Sequence, residues 1–410
     1  MFLGFVACVF LLPFAWASPA VIHKYGTDSL RTHIKFTKKY LDNLPEEHMN
    51  VSQMIKYHGY PCENHDVVTE DGYILSLQRI PHGRKEVPPK HEVVFLQHGL
   101  IDSSATWVNN LPEQSLGFIL ADLGYDVWLG NSRGNTYSKR HVNLTTDDPK
   151  FWDFSFNEMA QFDLPASLNY ALKISNTSQL YYTGHSQGTM IGFIQFGRQP
   201  ELGKKVKTFF ALAPVATVGY IKGALKIMSY FSPEIEFLIK ILGIKDFFPN
   251  NWLMKLLADT ICAAHFSEKY CADLIFLMTG FDTKNLNDTR IPIYVSHTPA
   301  GTSVKDILHF VQLIKSKKFQ RYDYGEAENL VYYNQTTPPC YDVSLMETPV
   351  ALFTATNDWL ADPEDVKGLK PKLKNIVFSK NIEVWNHMDF VWGEDAHSVI
   401  YADIIKLLQA

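Results

Sequence analysis

Gly184-His185-Ser186-Gln187-Gly188 sets a serine between two glycines, the G-x-S-x-G spacing of a nucleophile elbow. The pattern has a mechanical reason: the serine sits on a sharp turn from strand to helix, and the residues two before and two after it must be small enough for backbones to pass closely. The five residues alone recur by chance, so the flanks decide. Leu180 to Thr183 is apolar and aromatic, as a central parallel strand is, and Thr189 to Phe196 continues with the Met, Ile and Phe spacing of a helix packed on a sheet.

A nucleophilic serine needs a base, an acid to orient the base, and N–H donors for the oxyanion. Among 15 histidines, His387 is singled out by its place just after the last expected strand, in Asn386-His387-Met388-Asp389-Phe390. Asp358, following the strand Val350 to Ala355, is the expected acid. Asp389 is the rival, but two residues from the histidine on one loop it is poorly placed to reach round to the ring's Nδ1. His185, next to the serine, reads as structural. His98-Gly99-Leu100 follows the strand Val93 to Gln97, so the main-chain amides of Leu100 and Gln187 are the expected oxyanion donors. The chain order is Ser, Asp, His.

The elements that position these residues alternate along the chain. Val67 to Thr69 and Tyr73 to Ile80 flank Glu70-Asp71-Gly72, a hairpin signature. His91 to Gln97, Tyr125 to Leu129, Leu180 to Thr183, Thr208 to Leu212, Val350 to Ala355 and Asn381 to Trp385 read as further strands, with helical segments such as Phe118 to Leu123 and Asn157 to Lys173 between them. The expectation is an α/β fold: a mostly parallel sheet of about eight strands with helices on both faces. From about Thr217 to Pro339 the alternation stops, and amphipathic runs such as Ile221 to Tyr230 and Glu234 to Leu242 read as a cap inserted between strands. The expected domains are therefore a core of residues 18–216 and 340–410 and a helical cap of residues 217–339.

Composition bounds the rest. The chain has 410 residues, 46% hydrophobic, with a formal charge of -5, which gives no footprint for nucleic acid. Met1 to Ala17 is apolar and ends in Ala15-Trp16-Ala17, as a secretory signal does, though without a basic start. Cys8 would leave with that segment, and Cys62, Cys262, Cys271 and Cys340 allow three pairings, of which Cys262 with Cys271, closing a short loop, is favoured. Five Asn-x-Ser/Thr sequons, at Asn50, Asn143, Asn176, Asn287 and Asn334, fit the same secretory route.

Gly130-Asn131-Ser132-Arg133-Gly134-Asn135, Phe151-Trp152-Asp153-Phe154-Ser155-Phe156 and Asn357-Asp358-Trp359-Leu360-Ala361-Asp362-Pro363, added to the elbow, to His98-Gly99-Leu100 and to Asn386 through Gly393, make the chain resemble the acid lipase family of gastric lipase and lysosomal acid lipase over nearly its whole length. The resemblance implies an α/β-hydrolase core with a helical cap and mobile lid. It implies hydrolysis of long-chain fatty esters at an oil–water or membrane interface, in a secreted or lysosomal setting, with no metal or organic cofactor. It carries over Ser186, Asp358 and His387 as the triad, Leu100 and Gln187 as oxyanion donors, and a Cys262–Cys271 disulfide. Met190 departs from the smaller polar residue expected there. Arg133 and the aromatic run 151–156 have no derivable catalytic role and read as loop tie and core. A lipid carrier that has lost catalysis, or a hydrolase of peptides, thioesters or short esters, are the alternative functions.

Overall fold

The computed structural model describes residues 44–85, 87–230, 245–247 and 285–410. The chain divides into Met1–Leu44 and Pro45–Ala410, and the second unit is the one described below. The expected signal segment, the run Glu234 to Leu242, and both Cys262 and Cys271 lie outside the described residues. Cys62 and Cys340 are free thiols.

Eleven strands occur among the described residues: β1 Glu63–Val68, β2 Tyr73–Ile80, β3 Val93–Gln97, β4 Asp126–Leu129, β5 Arg140–His141, β6 Leu180–His185, β7 Val206–Leu212, β8 Asp246–Phe247, β9 Thr302–Ser303, β10 Val350–Ala355 and β11 Ile376–Ile382. Eight of them form one sheet in the order β1-β2-β4-β3-β6-β7-β10-β11, and the two-residue β5 adds to β2 as a ninth. β4, β3, β6, β7, β10 and β11 run parallel. β1 and β2 form the antiparallel hairpin, turned at Gly72 with φ +95°. β3, β6 and β10 are buried at every position, as strands covered on both faces are. β8 and β9 pair separately, within the block between β7 and β10.

Strand order dictates where a site belongs. From β3 the chain steps to β4 on one side, and from β6 it steps to β7 on the other, so the order reverses between β3 and β6. In an open parallel sheet the crevice for a ligand forms at the carboxyl ends of the strands flanking such a reversal. Leu100 follows β3 and Ser186 follows β6.

Two local expectations differ from what is observed. The last strand is β11 at Ile376–Ile382, and Trp385 lies beyond it, buried in the loop that carries His387. β11 is an edge strand whose residues are exposed or half-buried, so apolar burial marks it weakly. The helix expected over Asn157 to Lys173 is broken by a widened turn, Met159–Asp163, ahead of the helix Leu164–Ile174. Pro165, which has no N–H, sits in that first turn, and Asp163 is turned toward Arg133.

Candidate active site

Ser186 occupies the turn between β6 and the helix Gln187–Arg198 with φ 53° and ψ −120°, a conformation that L-residues rarely adopt. The turn closes because its glycines have no side chain. A Cβ on Gly184 would lie 2.7 Å from the Gly188 carbonyl carbon, and one on Gly188 would lie 2.6 Å from the Gln97 oxygen. The elbow is thereby pressed against the end of β3. Met190, the residue that departed from expectation, is fully buried under the helix as core.

The structure brings the three expected side chains into one line. Ser186 Oγ lies 2.7 Å from His387 Nε2, and His387 Nδ1 lies 3.0 Å from each oxygen of Asp358. Asp358 is fully buried and its Oδ1 accepts from the amides of Leu360 and Ala361 at 2.9 and 2.8 Å. A carboxylate so held only accepts, so Nδ1 carries the ring proton and Nε2 is left to accept from the serine hydroxyl. Asp389 takes a different post, accepting from the Asn386 amide at 2.5 Å within its own loop. His185 is also buried, and its Nε2 donates to the His387 carbonyl at 2.9 Å. Burial, reinforced by His387, lowers the His185 pKa to about 3, so it braces the histidine loop as a neutral ring.

The turn after β3, expected to supply an oxyanion donor, is placed by close approach. A Cβ on Gly99 would fall 3.1 Å from the Ser186 Cβ, which sets the Leu100 segment against Ser186. Among the described residues no backbone acceptor takes the Leu100 amide. Gln187 is the first residue of its helix, where the amide has no carbonyl one turn back to bond. His98 pins this turn: its Nδ1 donates to the Gly99 oxygen at 2.8 Å and its Nε2 accepts from the Ser132 amide at 3.0 Å. Burial lowers the His98 pKa to about 4, which keeps that pair of bonds in place.

The Gly130 to Asn135 motif anchors the frame beneath. The Arg133 guanidinium is buried, bonds both oxygens of Asp71 at 2.6 and 2.8 Å, and bonds Asp163 Oδ1 through Nε at 2.8 Å, while its carbon sits 3.9 Å from the Tyr73 ring centre. It ties the hairpin turn, the loop after β4 and the widened helical turn together. Arg133→Met should destabilise the fold by roughly 3–5 kcal/mol, because it leaves the buried Asp163 without its partner. Urea unfolding of the two proteins measures this. The aromatic run 151–156 is core, with Phe156 stacked on His309 at 4.0 Å.

Asp102 and Asp306 are among the buried carboxyls that were not singled out from the sequence. Asp102 lies two residues past Leu100, and Asp306, at the start of the helix Val304–Ser316, accepts from the Phe156 amide at 2.8 Å and the Thr302 hydroxyl at 2.9 Å and also meets the Gln187 side chain. Burial raises the Asp306 pKa to about 7. Nothing in the spacing marks either residue, since Phe156 and Thr298, which tie them to other elements, are distant in sequence. Among the described residues no group of three or more His, Cys, Asp or Glu side chains is arranged to hold a metal.

The family model described as alpha/beta hydrolase fold matches residues 92–394, and that of a partial alpha/beta-hydrolase lipase region matches residues 51–111. The chain is 50% identical over 368 residues to gastric triacylglycerol lipase of Rattus norvegicus, covering 89% of this chain and 92% of that protein. The chain belongs to the acid lipase family of α/β-hydrolases. It is also 46% identical over 412 residues to the human lysosomal acid lipase/cholesteryl ester hydrolase, covering 100% of this chain and 98% of that enzyme. Among solved structures, a bacterial membrane phospholipase A is similar in fold, with a TM-score of 0.51 at 14% identity over the full length of both chains.

Proposed function

We propose that this acid lipase family member is a secretory-pathway serine esterase that hydrolyses lipid esters, triacylglycerol and/or cholesteryl ester, through an acyl-enzyme. The observation that supports it is the unbroken line from Ser186 Oγ through His387 to the buried Asp358. The Ser186 oxygen attacks the ester carbonyl as its proton passes to His387 Nε2. The carbonyl oxygen, now an anion, takes hydrogen bonds from the Leu100 and Gln187 amides. Collapse of this intermediate expels the alcohol, which receives the proton from Nε2, and leaves the fatty acyl group on Ser186. Water then gives a proton to Nε2, attacks the acyl carbonyl and releases the fatty acid, restoring the serine. Asp358 holds the working tautomer throughout and stabilises the imidazolium between steps.

In this reading residues 18–216 and 340–410 form the hydrolase core, and residues 217–339 form a helical cap that supplies apolar surface. Each Å² of acyl chain removed from water contributes about 25 cal/mol, so a long chain binds where a short one does not. Passage through the secretory route is supported by the sequons, of which Asn50, Asn143, Asn176 and Asn334 are exposed and Asn287 is half-buried. Residence after that route is secreted or lysosomal, the substrate is met at an oil–water or membrane interface, and a Cys262–Cys271 disulfide closes its short loop. Rates on emulsified triolein and cholesteryl oleate, compared with a soluble short-chain ester, test the substrate class. Long-chain emulsions should be the better substrates, and turnover confined to soluble short esters would count against the lipid reading.

A further inference from the structure

The oxyanion turn carries a buried acid that the mechanism above leaves unused. Ile101, one residue past Leu100, has φ 52°, a left-handed conformation that a β-branched side chain opposes. Such a conformation is strained and persists only where its surroundings over-determine it. Here they grip the turn from two sides. Asn135 Nδ2 reaches the Asp102 carbonyl at 3.3 Å and also the His98 ring at 3.2 Å, from the loop after β4. From the block between β7 and β10, the Ala300 amide donates to the Ile101 oxygen at 2.6 Å, and the Thr298 hydroxyl donates to Asp102 Oδ1 at 2.9 Å. The same Oδ1 takes the Ser103 amide at 2.8 Å.

Asp102 Oδ2 has no such partner. It is buried and unpaired among the described residues, and the Thr106 hydroxyl, which acts on this carboxyl, is likewise buried without a partner in bonding geometry. An O–H on Oδ2 has the Thr106 hydroxyl oxygen beside it to receive it; an ionised carboxylate would keep Ser103, Thr298 and Thr106 as donors, but the loss of water on burial outweighs them. Among the described residues, ionisable groups on the elements packed against this turn include His98 on the turn itself, Arg133 on the adjacent loop, His297 beside Thr298 and Asp389 on the helix Asp389–Trp392, which meets Ser104–Trp107. His98 holds Gly99 and Ser132, Arg133 is held by Asp71 and Asp163, and His297 reaches the Glu46 carbonyl.

We propose that Asp102 is a positioning residue for the esterase reaction: in its neutral form its carboxyl locks the Leu100 turn to Thr298 of the inserted block and so holds one oxyanion donor in place. The inference rests on the esterase reading above. Burial raises the Asp102 pKa to about 6, against an ordinary carboxylate near 4. The folded state thus binds this proton more tightly than the unfolded chain. The stability it contributes is complete below the ordinary carboxylate range and is lost as pH rises through about 6. The same rise introduces a buried charge without a cationic partner at the oxyanion turn, so turnover falls with it.

The test is a pH series of kcat and KM on a soluble p-nitrophenyl ester for wild type, Asp102→Asn, Thr298→Val and Asp306→Asn, with thermal melts and active sites counted by a fluorophosphonate probe. Asparagine keeps an acceptor oxygen for Ser103 and Thr298 and presents a permanent N–H where the carboxyl needs its proton. The ratio of kcat at pH 7 to kcat at pH 5 should therefore rise above wild type by up to about tenfold in Asp102→Asn. Thr298→Val should lower kcat by roughly 3–10-fold with KM unchanged, as expected when a transition-state donor is displaced. An Asp102→Asn ratio equal to wild type overturns the proposal. So does a Thr298→Val effect on KM alone, or a rise produced by Asp306→Asn instead. A folded wild-type protein that neither labels nor turns over would overturn the esterase reading itself, which the labelling count separates from these outcomes.

Discussion

Replacing Ser186 with alanine should leave a folded protein whose turnover of a fatty ester is lower by about 10⁶, the scale on which removing the nucleophile of a serine hydrolase acts. The size of the effect follows from the line of contacts. Ser186 Oγ is the atom that meets His387 Nε2, and among the described residues no other hydroxyl is hydrogen-bonded to that nitrogen. The fold should not notice the change. Alanine at φ 53° bears the same backbone strain as serine, and the elbow's closeness depends on Gly184 and Gly188 rather than on the hydroxyl. Steady-state rates on p-nitrophenyl butyrate, together with a thermal melt within about 0.5 kcal/mol of wild type, check both halves.

Asp358→Asn should lower kcat by about 10⁴ with little change in KM. An amide in place of the carboxylate offers an N–H toward His387 Nδ1, which then accepts, and the ring proton moves to Nε2. A protonated Nε2 no longer accepts from Ser186 at 2.7 Å. Asp389→Asn is the informative partner to this experiment, because Asp389 lies on the same loop as His387 yet bonds the Asn386 amide. Its loss should act on loop stability and leave kcat within about tenfold, since His387 Nδ1 is held by Asp358. Equal losses in the two variants would mean that the acid had been assigned on the wrong side of the histidine.

The route from sequence to this site was short where chemistry is written in adjacent residues. The elbow glycines, the run of buried residues in β3 and β6, and the position of Asp358 after β10 each follow from local pattern, because a strand buried on both faces and a turn with forced close approach leave few residue types possible. β11 was shifted by several residues for the opposite reason: Ile376, Val377 and their neighbours stand at an exposed edge, where no core imposes a pattern. The frame that holds the site was legible only as a loop-tying role for Arg133, without its partners. Arg133 meets Asp71 and Asp163 from 62 and 30 residues away, and Asp102 meets Thr298 across 196. Such pairs follow no helical or strand period, so only the folded chain reveals them. Asp389 and Asp358 show the same limit in reverse. Two aspartates were available to one histidine, and the distinction between them lies in which carboxylate the strand end aims at Nδ1.

The most direct measurement is intact-mass and peptide mapping of the protein after reaction with a stoichiometric fluorophosphonate probe at mildly acidic pH. The account predicts a single phosphonyl adduct on Ser186, absent from Ser186→Ala and formed far more slowly in Asp358→Asn. A folded protein that takes up no adduct, or one labelled at another residue while Ser186→Ala still hydrolyses esters at the wild-type rate, would contradict it.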